Sequence, residues 1–337
     1  CALPISAATF DVINPATEGV VAKCPRADAA MVDRAVAAAK AAFPAWSQRS
    51  YDDRAALLLE LADRVEARGD EIARLLTAEQ GKPLQQAMME VAGFSRSLRI
   101  FAAMRLEERV LRDKKGKKVI EHYTPLGVCA AITPWNFPVM LLANKLGPSL
   151  MTGNTIVVKP APTTPLSTLL IGEICAEIFP AGVVNIICDV NDLGSVLTAH
   201  PDVAKIAFTG STGTGKKVMA SAASDIKRVT LELGGNDAAI VLDDVPPALA
   251  AAKVYASSMS NSGQICVATK RAYVHEAIYE DFCTEIAKLA NEAVVDDGSK
   301  QGTTIGPVQN RMQFDKVKAL MEGAVQQGRV QIGRAHV

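Results

Sequence analysis

The chain has 337 residues, 49% of them hydrophobic and 21% charged, more than one ordinary domain needs and enough for a sizeable buried core. Lys+Arg and Asp+Glu both number 36, which excludes the strong basic field of a protein that binds nucleic acid or anionic lipid. Seven cysteines (Cys1, Cys24, Cys129, Cys175, Cys188, Cys266, Cys283), odd in number and in no CxxC pair, fit neither a disulfide framework nor a zinc site and point to a reducing compartment, the cytoplasm.

The chain opens at Cys1 with no basic segment before an apolar block, so no secretory signal is expected. It ends on Arg334-Ala335-His336-Val337 after Gly333, and foreign residues are expected at one or both tips. Residues 28–110 read as helices. Ala/Leu-rich spacing predicts helices over 31–42 and 54–68, the second capped by Asp52 or Asp53. A helix from Glu71 is expected to stop at Gln80-Gly81-Lys82-Pro83, where Gly ends one helix and Pro opens the next. The basic run Lys114, Lys115, Lys117, Lys118, interrupted by Gly116, reads as a solvated turn, and Lys117–Tyr123 alternates as a short, partly exposed strand.

From Leu126 short apolar runs alternate with helix-length segments. Strands are expected over 126–133, 155–159, 183–187, 203–208, 229–233 and 238–242. The longest apolar stretch, 128–143, is broken by Pro134, Asn136 and Pro138 and falls short of the ~20 residues of a membrane span. Apolar strands separated by helices predict a doubly wound α/β domain with a parallel sheet, which binds ligands at the carboxyl ends of its strands. A second α/β segment begins near Gly234 and runs to the end, and no internal repeat is visible.

Four segments place unusual residues just after a strand. In Thr133-Pro134-Trp135-Asn136-Phe137-Pro138 two prolines fix the backbone and Asn136 can donate to an oxyanion, or it bonds its own backbone in a strand-ending turn. Phe208-Thr209-Gly210-Ser211-Thr212-Gly213-Thr214-Gly215-Lys216-Lys217 is a strand, a glycine-rich turn and a helix start, an arrangement that offers N–H groups to an anion. It nearly fits the phosphate loop G-x-x-x-x-G-K-[ST], but Lys217 replaces the hydroxyl that would hold magnesium. With Asp243 and Asp244 as imitation metal ligands, a nucleotide hydrolase stands as the rival from another reaction class. Glu232, in Leu231-Glu232-Leu233-Gly234-Gly235-Asn236, is a carboxylate at an apolar strand end, where burial would raise its pKa toward a general base; the alternative is a surface glutamate. Cys266, in Asn261-Ser262-Gly263-Gln264-Ile265-Cys266, begins or interrupts a helix as an activated thiol, or is a small buried hydrophobe.

Taken together, the order Trp-Asn, Lys159-Pro160, Gly-Ser-Thr, Glu-Leu-Gly-Gly, Gly-Gln-x-Cys resembles the aldehyde dehydrogenase superfamily, from about Phe10-Asp11-Val12-Ile13-Asn14-Pro15-Ala16-Thr17 to about Ile305-Gly306-Pro307-Val308. The resemblance implies a cofactor-binding domain at 1–112 and 126–234, a hairpin at 113–125 that joins subunits, the first part of a catalytic domain at 235–330, and a tail foreign to the family at 331–337. It implies oxidation of an aldehyde to a carboxylic acid with NAD or NADP, no metal, and a homodimer or homotetramer at full length. Cys266 would be the nucleophile, Asn136 and the Cys266 N–H the oxyanion donors, Glu232 the water-activating base, and Lys145 a proton relay or a helix lysine paired with a carboxylate. Thr133, Pro134, Trp135, Lys159, Gly194, Phe208, Thr209, Gly210, Ser211, Leu233 and Gly234 would line the cofactor cleft, with Ser211 capping the helix that faces the pyrophosphate. Met140, Asn144, Ile265 and Val267 would border the substrate tunnel. An acylating relative, which passes the thioester to coenzyme A, and a catalytically silent one are the alternatives within the family.

Three departures stand out. Pro162 occupies the place, three residues after Lys159, where many NAD-preferring members carry a glutamate, so cofactor preference is open. The glycine-rich turn expected after the third strand reads Cys188-Asp189-Val190-Asn191-Asp192-Leu193-Gly194, with only Gly194 kept. The family's Glu-x-Phe-Gly-Pro segment and its subunit-pairing strand do not occur within the 337 residues, so this chain by itself is expected to be poorly stable or inactive.

Overall fold

The computed structural model describes residues 8–326; the expected tail at 331–337 lies outside them. The chain forms two compact units. The first comprises residues 8–12, Lys23–Ala73 and Met88–Glu232; the second comprises Ile13–Ala22, Arg74–Ala87 and residues 233–326.

Strands β1 (Thr9–Ile13) and β2 (Val20–Pro25) form a two-stranded sheet, which was not expected from the sequence. Four helices follow: α1 (Ala29–Ser47), α2 (Tyr51–Ala67), α3 (Gly69–Gln80) and α4 (Leu84–Ala103). Asp28 caps α1 by accepting from the Met31 N–H. The cap of α2 is Ser50, whose hydroxyl accepts from the Asp53 N–H, rather than Asp52 or Asp53. Both aspartates lie in the first turn, where their charge still favours the positive end of the helix dipole. Hairpin β3 (Arg109–Lys114) and β4 (Lys117–Glu121) is antiparallel, and it starts four residues before the expected 113. Its turn, Lys115-Gly116, has positive φ at both positions (53° and 74°), the geometry that matches strand twist in a two-residue loop.

The core of the first unit is a five-stranded sheet of β5 (Val128–Ile132), β6 (Thr155–Lys159), β7 (Val184–Ile186), β8 (Val203–Thr209) and β9 (Arg228–Glu232), in the order β7-β6-β5-β8-β9 and parallel throughout. The crossovers are α5 (Pro138–Met151), α6 (Leu166–Ile178), α7 (Gly194–Ala199) and α8 (Thr212–Ala223). Strand order runs one way from β5 to β7 and the other way from β8 to β9. Right-handed crossovers therefore put helices on opposite faces and open a crevice at the carboxyl ends of β5 and β8. Strands β5, β6 and β7 are wholly buried, as their unbroken apolar runs require. Edge strand β9 alternates between exposed and half-buried residues.

In the second unit β10 (Asp237–Val241) pairs in parallel with β11 (Thr269–Val274) through α9 (Pro247–Met259), and α10 (Tyr279–Glu292) and α11 (Arg311–Gln326) follow. Val241, Ala250, Ala251, Val254 and Phe282 form its core. The start of α4 is fixed in this unit: the Leu84 N–H donates to the Gly298 carbonyl at 3.0 Å. Gly81 takes φ +93°, and a methyl group there would stand 2.7 Å from both Pro15 and Pro307, so glycine is required at the end of α3.

Candidate active site

At the carboxyl end of β5 the chain turns through Thr133–Phe137 into α5, with Pro138 at the first helical position and no side-chain cap from Phe137. The free N–H groups of that turn are taken by Glu90 of α4, which sequence reasoning missed. Its Oε1 accepts from Val139 N (2.9 Å) and Met140 N (3.1 Å), and the residue is buried. A carboxylate at a helix N-terminus is doubly favoured, by hydrogen bonds and by the dipole. It anchors the segment that presents Asn136. The only sequence signal was a glutamate on the same face of α4 as Ala87, Val91 and Phe94, all buried. Asn136 Oδ1 accepts from the Phe137 N–H at 3.0 Å, so the local backbone bond considered above does form, and it turns the donor end of the amide the other way.

Lys145, one turn further into α5, is buried and donates to Thr209 Oγ1 at 2.7 Å, at the last residue of β8. Burial lowers its pKa to about 8, the Glu232 carboxylate resists the fall and Lys205 adds to it. Glu232 follows Thr209 in register on β9. It is exposed, the surface alternative of the two readings, on the edge strand β9. The buried Lys145, whose pKa is lowered to about 8, is the titratable neighbour of this strand end. Among the residues expected at the tunnel, Met140 and Ile265 are half-buried, and Asn144 and Val267 are exposed.

Most of the residues expected to line a cofactor cleft stand at or just after the carboxyl ends of the strands of this sheet. Thr133 N–H donates to the Lys159 carbonyl (3.1 Å) and Gly210 N–H to the Glu232 carbonyl (3.0 Å). Lys159 Nζ lies 2.6 Å from Asp189 Oδ1, and a methyl group on Gly194 would stand 3.9 Å from Lys159 Cε. Ser211 caps α8 by accepting from the Thr214 N–H at 3.2 Å. The first turn of α8 is exposed, with nothing within 4 Å of where a Gly213 side chain would begin. Trp135 and Leu233 are half-buried, Gly234 is exposed, and Phe208 is buried beneath Gly210, where a methyl group would meet its ring at 2.6 Å.

These residues fit a dinucleotide: an open helix N-terminus at the switch point of a parallel sheet suits a pyrophosphate. Thr133 Oγ1, buried and without a hydrogen-bond partner, offers unspent bonding capacity at the same edge. The phosphate-loop reading fits less well. Residues Thr212–Gly215 are already helical, so the wide loop of N–H groups that would wrap a triphosphate is not formed. Among the described residues no group of acidic, histidine or cysteine side chains could hold a metal.

Cys266 belongs to the second unit. It lies in a turn between a 3-10 segment, Ser260–Gly263, and β11, and neither begins nor interrupts an α-helix. A helix dipole therefore cannot be invoked for it. What fixes it is the loop before it. Asn261 and Ser262 both adopt left-handed φ (49° and 58°), a strained pair for residues with side chains. The strain is held by bonds from three directions: Asn261 N–H to Gln86 Oε1 (3.0 Å), Ser262 Oγ to the Gly306 carbonyl (2.8 Å), and Gln309 N–H to Gln264 Oε1 (2.9 Å). Lys270 Nζ donates to the carbonyls of Ile265, Cys266 and Ala268. A methyl group on Gly235 would stand 2.6 Å from the Cys266 carbonyl oxygen. Cys266 is half-buried, whereas Cys24, Cys129, Cys175 and Cys188 are fully buried. Burial pushes the Cys129 and Cys175 thiols up to about 11 and about 12, and a hydrogen bond with Cys24, then burial, raise Cys188.

Comparison with known proteins agrees with this layout. The Aldehyde dehydrogenase family profile matches residues 4–336. A sequence from Pseudomonas sp named "Probable aldehyde dehydrogenase" is 43% identical over 317 residues, covering 94% of this chain and 65% of the relative. The solved structure of PnpE from Pseudomonas sp. WBC-3, in complex with nicotinamide adenine dinucleotide, superposes with TM-score 0.93 at 39% identity, over 96% of this chain and 68% of that one. An E. coli "NADP dependent enzyme" superposes at 0.92 with 36% identity, over 95% and 68%. The chain spans about two thirds of the length of these relatives. With its fold, its motif order and these matches in agreement, the chain belongs to the aldehyde dehydrogenase family.

Proposed function

We propose that the protein oxidises an aldehyde to a carboxylic acid with reduction of NAD or NADP. The observation that carries this reading is the grouping of Lys145, Thr209 and Glu232 at the carboxyl edge of the sheet in the first unit; the second unit carries a half-buried cysteine on a braced loop. The Cys266 thiolate attacks the carbonyl carbon, forming the C–S bond and moving the carbonyl π pair onto oxygen. The Asn136 amide and the Cys266 N–H stabilise that oxyanion. When bound, the nicotinamide supplies the hydride acceptor, and a thioester remains on Cys266. Glu232 takes a proton from water, the hydroxide adds to the thioester, and the thiolate leaves with the acid released. Neutral Lys145, with its pKa near 8, receives the proton from Glu232 and resets it. Glu232 in the role of base favours hydrolysis of the thioester over transfer to coenzyme A.

The hairpin β3–β4 exposes Val110, Leu111, Val119 and Ile120, an apolar surface through which we propose that subunits join as a homodimer or homotetramer. We place the protein in the cytoplasm, in keeping with six free thiols among the described residues. No described helix is long and apolar enough to cross a membrane.

The test follows nicotinamide absorbance with an aldehyde panel, offering NAD and NADP separately, on the chain extended to the length of its relatives and on the 337-residue chain in parallel. Reduction that vanishes in Cys266→Ala is expected. Reduction that survives in that variant, or a folded enzyme that binds cofactor yet reduces none with any aldehyde, would overturn the thiolate mechanism. Comparable turnover by the two chain lengths would refute the expected weakness of the shorter one.

A further inference from the structure

Resting on the reading of the Cys266 N–H as an oxyanion donor, we infer that Lys270 is a positioning residue that aims and polarises that N–H. Cys266 precedes β11, and Lys270 is the second residue of that strand. On β10 the consecutive residues Asp237 and Ala238 pair with Thr269 and Arg271, so Lys270 is the extra residue of a bulge. A bulge re-aims its side chain, and here the ammonium reaches back to the turn before its own strand. Its Nζ donates to the carbonyls of Ile265 (3.1 Å), Cys266 (2.9 Å) and Ala268 (2.9 Å). Asp237 Oδ2 stands 3.9 Å away, and the lysine side chain is 35% exposed. Arg271 holds the facing segment by donating from Nε and Nη2 to the Asn236 carbonyl, at 3.1 and 2.7 Å.

The Ile265 carbonyl and the Cys266 N–H are the two ends of one peptide group, trans like every described peptide bond. They point in opposite directions, so a lysine that fixes the carbonyl also fixes the line of the N–H. A charged donor at the carbonyl oxygen draws electron density from the nitrogen, and hydrogen bonds in series strengthen one another. The Ala268 N–H donates to the same oxygen at 3.3 Å, adding a second, weaker pull. Among the described residues, no backbone bond of this turn uses the Cys266 N–H, which leaves that donor unspent. Three carbonyl oxygens gathered on one side repel one another, and the ammonium is what draws them together. What the charge adds beyond packing is therefore read in a reaction that builds an oxyanion on the carbon bound to Cys266.

The test compares two reactions of Cys266 in the 337-residue chain at neutral pH, each read on the Cys266 peptide by mass spectrometry. Para-nitrophenyl acetate acylates the thiolate: the S–C bond forms, the carbonyl π pair moves to oxygen, and para-nitrophenolate then leaves with its bonding pair. Iodoacetamide alkylates the same thiolate by displacing iodide and builds no oxyanion. Lys270→Met is expected to lower acylation about tenfold or more and to change alkylation less than about threefold. Lys270→Arg keeps the cation and should bring acylation back to within about threefold of wild type. Should the Met variant fail to fold, Lys270→Gln is held to the same expectation, since it keeps N–H donors and lacks the charge. Equal falls in the two rates would show that Lys270 serves only to hold the loop, and no fall in either would show that it serves neither; both outcomes would overturn the inference. A wild-type ratio of acylation to alkylation equal to that of the chain unfolded in denaturant would mean that no oxyanion donor acts at Cys266. The reading of the Cys266 N–H would then fall, and the inference with it.

Discussion

Lys145 is the residue whose environment is most at odds with its chemistry. An ammonium buried behind Thr209 gives up its proton near pH 8 instead of near 10.5, so the folded chain binds fewer protons than the unfolded chain between those values. Stability should therefore rise with pH across that window, by at most about 1.4 kcal/mol per unit, and the penalty should be fully present below pH 8. Lys145→Met removes the term. The difference in unfolding free energy between wild type and variant, measured by denaturant melts at intervals from pH 7 to pH 10 (values set about the pKa near 8), should shift in favour of the wild type as pH rises. A flat difference would show that the lysine is not desolvated. The cysteines Cys129 and Cys175 push the other way above pH 9, since their raised pKa values make the folded chain hold protons longer; the comparison between two chains that both contain them cancels this term.

Among the elements, the segment that carries Cys266 shows how a loop can be made rigid without a helix. Two consecutive left-handed residues cost on the order of 1–3 kcal/mol each, and Gln86, Gly306 and Gln309 supply the bonds that hold them. The close approach of Gly235 to the Cys266 carbonyl leaves no room for a Cβ. Gly235→Ala should shift the thiol by a fraction of an ångström or more and lower turnover of the extended chain about 100-fold. Gly323→Ala, in α11 with open space where its Cβ would stand, should leave turnover unchanged and add about 0.5–1 kcal/mol of helix stability. Equal turnover in the two variants would show that the Gly235 contact does not position the nucleophile. Gln86→Ala offers an independent check by timed alkylation at neutral pH. In the wild-type chain half-buried Cys266 and Cys283 should label while the four buried thiols label only on unfolding. The variant, which loses the bond from the Asn261 N–H to Gln86 Oε1, should change the rate at Cys266 and leave Cys283 as it was.

What the amino-acid order revealed, and what it concealed, divides along the same physical line. The buried strands β5, β6 and β7 and the largely apolar β8 were legible because a sheet covered on both faces demands mostly apolar runs, and Ser211 was legible because a helix cap acts on its immediate neighbours. Strands β1, β2 and β3 were not: β3 is exposed along its whole length, so no alternation marks it. The hairpin turn was readable from Lys-Gly while the strand before it was not. Glu90, Gln86 and Asp189 act on partners that the chain brings close only by folding, 49, 175 and 30 residues away for Glu90–Val139, Gln86–Asn261 and Lys159–Asp189 (189 − 159 = 30). A glutamate or glutamine in a helix carries no local trace of such a task. At Glu232 the sequence left burial and exposure open, and edge-strand geometry decided for exposure; at Cys266 the expected helix gave way to a turn.

At the scale of the whole molecule, the residues proposed to hold the cofactor belong to the first unit, Leu233 and Gly234 apart, and the thiol belongs to the second. A dinucleotide that binds through the carboxyl edge of the parallel sheet should therefore protect the two units unequally. Saturation at 100 times Kd stabilises the binding state by about 2.7 kcal/mol, and the amides that report it should be those of β5, β6 and the first turn of α8. Hydrogen exchange of the 337-residue chain with and without NAD measures this directly: slowing concentrated in residues 128–133, 155–160 and 209–215, with β10 and β11 changed far less, is the expected pattern. Uniform slowing across both units would mean that binding and global folding are one event, so that the first unit has no stability of its own. Slowing confined to α9, β10 and β11 would place the ligand away from the sheet edge, and the reading of Lys159, Ser211 and Thr133 as cofactor residues would fall.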